Sequence, residues 1–171
     1  MSSLTRLAVL GGTGGLGQEI VKQALAQNYA VTAVVRDLAK ATSLLPGTVN
    51  LKVVASVDES SLPLLVDALT GQDILIEVID NSDRVAKVGV IVQAATQANV
   101  KSFIVCGGAG TLKMSADENA QRLYEILGDS IGTWLKPVTL MHLETQKVAF
   151  ASSVRTVINS FWLKTSQCVS I

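Results

Sequence analysis

The 171 residues contain one histidine, His142, and two cysteines, Cys106 and Cys168. Two distant thiols and one imidazole make neither a metal-ligand spacing nor a disulfide framework, so no metal site and no stapled secreted fold are expected. Excess charge is missing too: Lys plus Arg equals Asp plus Glu at 14 each. No overall field steers such a chain onto nucleic acid or an anionic membrane, which leaves small or neutral molecules as partners. Although 49% of the residues are hydrophobic, every apolar run breaks well short of the roughly 18 residues that span a bilayer. A charged-then-apolar leader with a small-residue cleavage site is not seen either, because Leu7 to Leu10 runs straight into glycines. The expectation is a soluble, cytoplasmic protein with reduced, structural thiols.

What the chain does carry is Gly11-Gly12-Thr13-Gly14-Gly15-Leu16-Gly17, set between the apolar stretch Leu7-Ala8-Val9-Leu10 and a helix-patterned segment. Glycine lets a strand turn sharply into a helix and lets backbone N–H groups approach a pyrophosphate without a Cβ in the way. The helix N-terminus adds unpaired donors and positive dipole charge. The spacing Gly11-x-x-Gly14-x-x-Gly17 at the first strand-to-helix junction is that of a dinucleotide site, with a purely structural turn as the alternative. A nucleoside-triphosphate loop would end in Gly-Lys-Ser/Thr, whereas Gly17 is followed by Gln18-Glu19. No lysine is placed for a γ-phosphate.

Strand and helix patterns alternate along the chain, as in βαβ units on a parallel sheet covered on both faces. Strands are predicted at Leu7–Leu10, Ala30–Val35, Leu51–Val54, Asp73–Ile79 and Ser102–Cys106, with Thr156-Val157-Ile158 able to add a sixth. Helices are predicted from Gly15 to a left-handed stop at Asn28, over Leu38–Leu45, after Ser61 with Pro63 in the first turn and Gly71 beyond the end, and from Asp83 to Ala98 before Asn99. The Asp83–Ala98 helix should present Val85, Val88, Val92 and Ala95 on one face. Beyond Gly107, Ser115-x-x-Glu118 reads as a capping box for a helix with an apolar stripe at Ala120, Leu123, Tyr124 and Leu127, closed by Gly128. A last helix is expected over Val138–Ser152. The result is an α/β class, a doubly wound, Rossmann-like parallel sheet in one domain spanning 1–171, with a core at 4–110 and a variable substrate-side region at 111–171. At this size about 70% of the unfolded surface can be buried.

The end of the second strand discriminates between coenzymes. An NAD site places Asp or Glu there, whose carboxylate accepts from the ribose 2′-hydroxyl and repels a 2′-phosphate. Here the residue is Arg36, whose fork of N–H donors suits a 2′-phosphate, so NADP(H) is expected in preference to NAD(H). The competing reading makes Arg36 a solvated charge and Asp37 the ribose ligand.

On these residues the chain resembles the atypical short-chain dehydrogenase/reductase families, NmrA-like proteins and NADH-flavin reductase-like proteins among them. The similarity covers about Leu7 to Gly110. It rests on the glycine run, on Val35-Arg36-Asp37, and on Val100 to Val105 followed by Gly107-Gly108-Ala109-Gly110-Thr111-Leu112. It implies that Thr13, Gly14, Gly15 and Leu16 cradle the pyrophosphate together with Gly11 and Gly17, that Arg36 meets the 2′-phosphate, that Ser56 and Val57 lie by the adenine, and that Gly107 borders the coenzyme. Relatives commonly carry an acidic residue at the Ser56 position.

Short-chain reductases typically use a Tyr-x-x-x-Lys pair, in which the lysine lowers the tyrosine pKa and the phenol exchanges a proton with the substrate. The chain has only Tyr29 and Tyr124, and four residues after Tyr124 stands Gly128. Tyr124 reads as core or pocket wall. Gly107-Gly108 replaces the serine often found after the fifth strand. His142 and Lys147 remain as titratable candidates on the last helix, with solvated or satisfied side chains as the plainer reading, and Cys106 reads as a structural cysteine. No catalytic residue is assigned. The place where relatives carry a strand ending in Arg-Pro is Val157-Ile158-Asn159-Ser160, and the substrate half of the pocket looks abbreviated. That is the mark of a truncated or shifted reading frame, or of a minimal domain completed by a partner subunit. Two functions stay open: an NADPH-dependent oxidoreductase reducing a flavin, quinone or other small acceptor, and a non-catalytic NADP(H)-binding redox sensor with a protein partner.

Overall fold

The computed structural model describes residues 4–55, 60–79, 84–108, 111, 115, 119–128, 135–150 and 155–160. The chain alternates β1 (Arg6–Leu10), α1 (Gly15–Ala26), β2 (Ala30–Val35), α2 (Leu38–Leu44), β3 (Leu51–Ala55), α3 (Leu62–Leu69), β4 (Ile74–Glu77), α4 (Arg84–Gln97), β5 (Ser102–Gly107), α5 (Leu123–Leu127), α6 (Leu135–Phe150) and β6 (Arg155–Ser160). The strands form one sheet in the order β3-β2-β1-β4-β5-β6, with every pairing parallel. Parallel neighbours need crossovers, and the helices supply them. The direction of winding reverses between β1 and β4, so the crevice at the carboxyl ends of those strands is the topological switch point of a Rossmann-like fold.

Successive β1 side chains enter different cores, as the period-two geometry of a strand requires. Leu7 and Val9 join Val21 and Ala24 of α1, Val31, Ala33 and Val35 of β2, and Ala41 of α2. Ala8 and Leu10 join Leu65 and Leu69 of α3, Val88 and Ile91 of α4, and Phe103 of β5. With a core on each side, the central strands read as continuous apolar runs. Each fully buried large side chain, Leu10, Leu75 and Phe103 among them, contributes about 1.5–3 kcal/mol.

The left-handed stops lie where the sequence put them: Asn28 has φ +61°, Asn99 +56° and Gly71 +77°. Ser61 is the N-cap of α3, although its side chain makes no capping hydrogen bond. The sixth strand pairs along β5 from Ser102↔Arg155 to Gly107↔Ser160.

Four expectations need correction. β4 ends at Glu77 and not Ile79, because the Ile79 N–H donates to the Glu77 carboxylate at 2.7 Å. The buried face of α4 is Arg84, Val88, Ile91, Ala94 and Ala95, with Val85 and Val92 only half-buried; an arginine leads the stripe that was expected to begin at a valine. The helix expected after Ser115 is confined to Leu123–Leu127. Ser115 lies in a bend and Ala120 is not helical, while Glu118 lies outside the described residues. Glu125 does the capping, taking the Arg122 N–H at 2.7 Å, and Gly128 closes the helix with φ +50°. Finally, α6 begins three residues early, at Leu135, with Pro137 in its first turn. A proline is tolerated there because first-turn N–H groups have no intrahelical acceptor to lose.

Candidate functional site

The carboxyl end of β1 runs into a turn that only glycine can make. Gly11 has φ +87°, and a Cβ there would come within 3.0 Å of the Val78 carbonyl oxygen. The Gly14 N–H closes the turn on the Gly11 carbonyl at 2.9 Å. At Gly17 an added Cβ would lie 2.1 Å from that same carbonyl oxygen, so the first turn of α1 packs directly on the loop. At Gly15 it would meet no protein atom within 4 Å. No side chain caps α1, and no acidic residue occupies its first turn. Its leading N–H groups and its positive dipole end are therefore left for an external anion.

These residues form one wall of a cavity of about 470 Å³, contributing Gly11, Thr13, Gly14, Gly15, Leu16 and Gly17. The end of β2 adds Val34, Val35 and Arg36, and α2 adds Lys40. The other side is built from Val78 and Ile79 after β4, Arg84 of α4, Cys106 and Gly107 of β5, and His142 of α6. The fold thus gathers Gly11, Thr13, Gly14, Gly15, Leu16, Gly17, Arg36 and Gly107 around one space. Ser56 and Val57 lie outside the described residues.

The region beyond β2 separates the two candidates for the ribose end. Asp37 is the N-cap of α2, and its Oδ1 accepts the Lys40 N–H at 3.0 Å. It is absent from the cavity lining, whereas Arg36 and Lys40 line it. Lys40 escaped the sequence reading, although its place three residues past a capping aspartate put it in the first turn beside Arg36.

The opposite wall holds a buried ionic cluster that the sequence reading missed. Glu77 is wholly buried and Arg84 is 3% exposed. Arg84 Nη2 donates to Glu77 Oε2 at 2.6 Å and also to the Cys106 carbonyl. Arg84 Nη1 lies 3.1 Å from His142 Nδ1. One guanidinium therefore links β4, β5 and α6 to α4 at the mouth of the crevice, and its Nε has no hydrogen-bond partner among the described residues. A signal was available: a glutamate inside the run Ile74-Leu75-Ile76-Glu77-Val78-Ile79, on a strand covered on both faces, demands a buried partner. His142 rests against the turn after β5, where a Cβ on Gly108 would approach its Cδ2 to 2.9 Å.

Of the remaining titratable candidates, Tyr124, Lys147 and Tyr29 are not among the residues lining the cavity. Tyr124 is half-buried and gives its hydroxyl to the exposed Glu125 at 3.1 Å, and α5 has no buried residue, so Tyr124 is not part of the core; nor does it line this cavity. Partial burial, and then the Glu125 carboxylate, raise its pKa above the ordinary phenol value, the reverse of what a proton-donating tyrosine needs. Lys147 pairs with Glu144 at 2.6 Å on the exposed face of α6. Tyr29 packs beside the α1 core. Cys106 is half-buried and lines the cavity.

The model of the NAD(P)H-binding family matches residues 11–155. The chain belongs to that family. Over 108 residues it is 32% identical to the photosystem II assembly factor Ycf39 of Guillardia theta, a match covering 57% of this chain and 33% of that protein. The chain thus spans about a third of the length of the curated relatives it matches. Among solved structures, the triphenylmethane reductase of Citrobacter sp. complexed with NADP(H) superposes with a TM-score of 0.70 at 22% identity, over 94% of this chain and 50% of that one. An NADPH-dependent quinone oxidoreductase of Escherichia coli complexed with NADPH gives 0.65 at 21% identity, over 89% and 47%. At these identities the structures speak for the shared fold alone. Among the described residues no helix is long and apolar enough to cross a membrane.

Proposed function

We propose that this chain is an oxidoreductase that binds NADP(H) in preference to NAD(H) and reduces a flavin, quinone or similar small acceptor. One observation carries the coenzyme preference: two cations, Arg36 and Lys40, line the β2 end of the cavity while the nearby carboxylate of Asp37 is spent on capping α2. A 2′-phosphate finds positive partners there, and a 2′-hydroxyl finds no carboxylate from Asp37. The glycine wall suits the diphosphate, since the space a Cβ would take at Gly15 is open and no side chain caps the start of α1. When bound, the reduced coenzyme supplies hydride, and the protein contributes position and electrostatics. Arg84 and Glu77 tie the opposite wall together, and Cys106 and Gly107 at the end of β5 complete it. The lack of a Tyr-x-x-x-Lys pair weighs little against this reading, because hydride transfer to a flavin needs no tyrosine acid.

A second reading, a non-catalytic NADP(H)-binding module of NmrA type that acts through a protein partner, is favoured by one finding. The matched Ycf39 protein is named an assembly factor, not an enzyme. Calorimetric titration with NADPH and NADH, alongside NADPH oxidation in the presence of FMN, FAD and quinones, separates the two. Turnover with preferential NADPH binding supports the oxidoreductase. Tight binding without turnover supports the module, and absence of binding contradicts both.

A further inference from the structure

A second cavity, of about 210 Å³, opens at the other end of the sheet, by the amino ends of β1, β2 and β3. It is smaller than the roughly 300 Å³ at which pockets for drug-sized ligands begin, so it suits a molecule of a few heavy atoms and not a nucleotide. Arg6, Thr32, Asn50, Lys52 and Gln72 supply its polar lining. Strand register explains the gathering. Thr32 lies opposite Ala8 on one side and Lys52 on the other, and the period of two puts Arg6 on the face of Ala8, the face that α3 covers. Arg6 Nη1 donates to the Gly71 carbonyl at 3.2 Å, which holds the guanidinium beside Gln72. Lys52 is exposed, and among the described residues neither cation's side chain forms an ion pair. The Asp73 carboxylate near Arg6 is committed to Lys101 Nζ at 2.6 Å and to the Arg6 backbone N–H at 2.9 Å. Two neutral groups complete the lining. Thr32 is 5% exposed, and its hydroxyl has no hydrogen-bond partner among the described residues. Gln72 Oε1 is buried and likewise unmatched. A buried acceptor without a donor costs free energy, which an N–H or O–H from a molecule in the cavity would recover.

We infer that this cavity binds a small hydroxylated anion, its phosphate or carboxylate head held by Arg6 and Lys52, with a hydroxyl that donates to Gln72 Oε1 and accepts from Thr32. Two cations without carboxylate partners select the charge, and the two unmatched neutral groups select a ligand that can both donate and accept. The inference goes beyond the coenzyme site and does not depend on it. β1 and β2 run from this cavity to the glycine turn and to Arg36, so the two ligands meet opposite ends of the same strands and do not compete.

Titration of the full chain with glycerol 3-phosphate and with glycerate, followed by backbone amide NMR, tests the assignment. At least one of the two should shift the amides of Val31, Thr32, Lys52 and Gln72 in a saturable way, and the tighter of them identifies the head group as phosphate or carboxylate. Inorganic phosphate, which lacks the hydroxylated arm, and glycerol, which lacks the charge, should each bind at least about 10-fold more weakly. Lys52→Gln, a change at an exposed position, should weaken the tighter anion about 10-fold, the worth of one charge-assisted contact. Thr32→Val, which keeps the shape and removes the hydroxyl, should weaken it about 3-fold. No saturable shift at these amides up to about 10 mM, well past a millimolar dissociation constant, overturns the inference. So does glycerol or phosphate binding as tightly as the hydroxylated anions, or a Lys52→Gln chain with wild-type affinity. None of these outcomes bears on whether NADPH binds at the glycine turn.

Discussion

The wall of the cleft between Gly11 and Gly17 is drawn from a single local stretch of chain and works through its backbone. The wall facing it is assembled from β4, α4, β5 and α6 and works through side chains, with Glu77, Arg84 and His142 drawn together across 65 positions of sequence. The first needs almost no buried charge, because helix N–H groups and the dipole of α1 supply the positive field. The second is built around a buried ion pair, whose desolvation cost is offset only while every partner is in place. One wall is intolerant of any Cβ at its close contacts; the other is intolerant of any unpaired charge.

Removing one partner of the ionic wall should have the largest effect. Arg84→Met takes the guanidinium away from the buried Glu77 carboxylate and should cost about 3–5 kcal/mol in urea denaturation. Adding Glu77→Leu should return most of that loss; a double variant as unstable as the single one breaks the comparison. The glycine wall can be probed with two alanines that differ only in clearance. Gly17→Ala drives a Cβ to 2.1 Å from the Gly11 carbonyl and should cost about 1–3 kcal/mol. Gly15→Ala meets nothing within 4 Å, so its stability should stay within about 0.5 kcal/mol of wild type, and any weakening of NADPH binding would come from obstructing the ligand alone. Arg36→Ala should weaken NADPH by about 10- to 100-fold, the worth of a charge-assisted hydrogen bond of about 1.5–3 kcal/mol, and leave NADH almost unchanged by calorimetry.

The smallest effect belongs to the far end of β4, where an exposed pair offers a control for the buried one. Lys101 Nζ reaches Asp73 Oδ1 at 2.6 Å, and the Arg6 N–H donates to Asp73 Oδ2 at 2.9 Å. The hydrogen bond from Lys101, and then that from Arg6, lower the Asp73 pKa from 3.8. A carboxylate with a depressed folded pKa stabilises above its unfolded value, and that contribution fades as pH falls through the folded one. Asp73→Asn should therefore lower Tm slightly at neutral pH, and the gap to wild type should close in acid. Screening by solvent and salt keeps it small.

How far each wall could be read beforehand follows from how it is built. The turn is a local pattern: Gly11, Gly14 and Gly17 stand at fixed offsets after an apolar run, and backbone geometry follows from them. Arg36 was readable for the same reason, as the residue at the end of a recognisable strand. The left-handed positions Asn28, Asn99 and Gly71 were readable because few residues adopt that conformation cheaply. The ionic wall depends on which helix packs over which strand, which periodicity does not encode. Arg84 was not singled out within the expected Asp83–Ala98 helix although it leads the buried stripe, and Glu77 passed as one letter in a strand. The misplaced start of α5 has a similar cause. Ser115-x-x-Glu118 has the spacing of a capping box, but the helix that forms starts at Leu123, capped by the contact of Arg122 with Glu125, and an arginine at the N-cap gives no such spacing signal. His142 was seen as an isolated imidazole. Its place only became defined when β5 ended in two glycines beneath it and Arg84 came up beside it.

The central claim is that the glycine turn grips a coenzyme diphosphate, and backbone amide NMR during titration with NADP⁺ tests it most directly. The account predicts that the amides of Gly14, Gly15, Leu16 and Gly17 shift together, saturating at the same concentration as Arg36. Shifts confined to other parts of the chain while these amides stay still would contradict it.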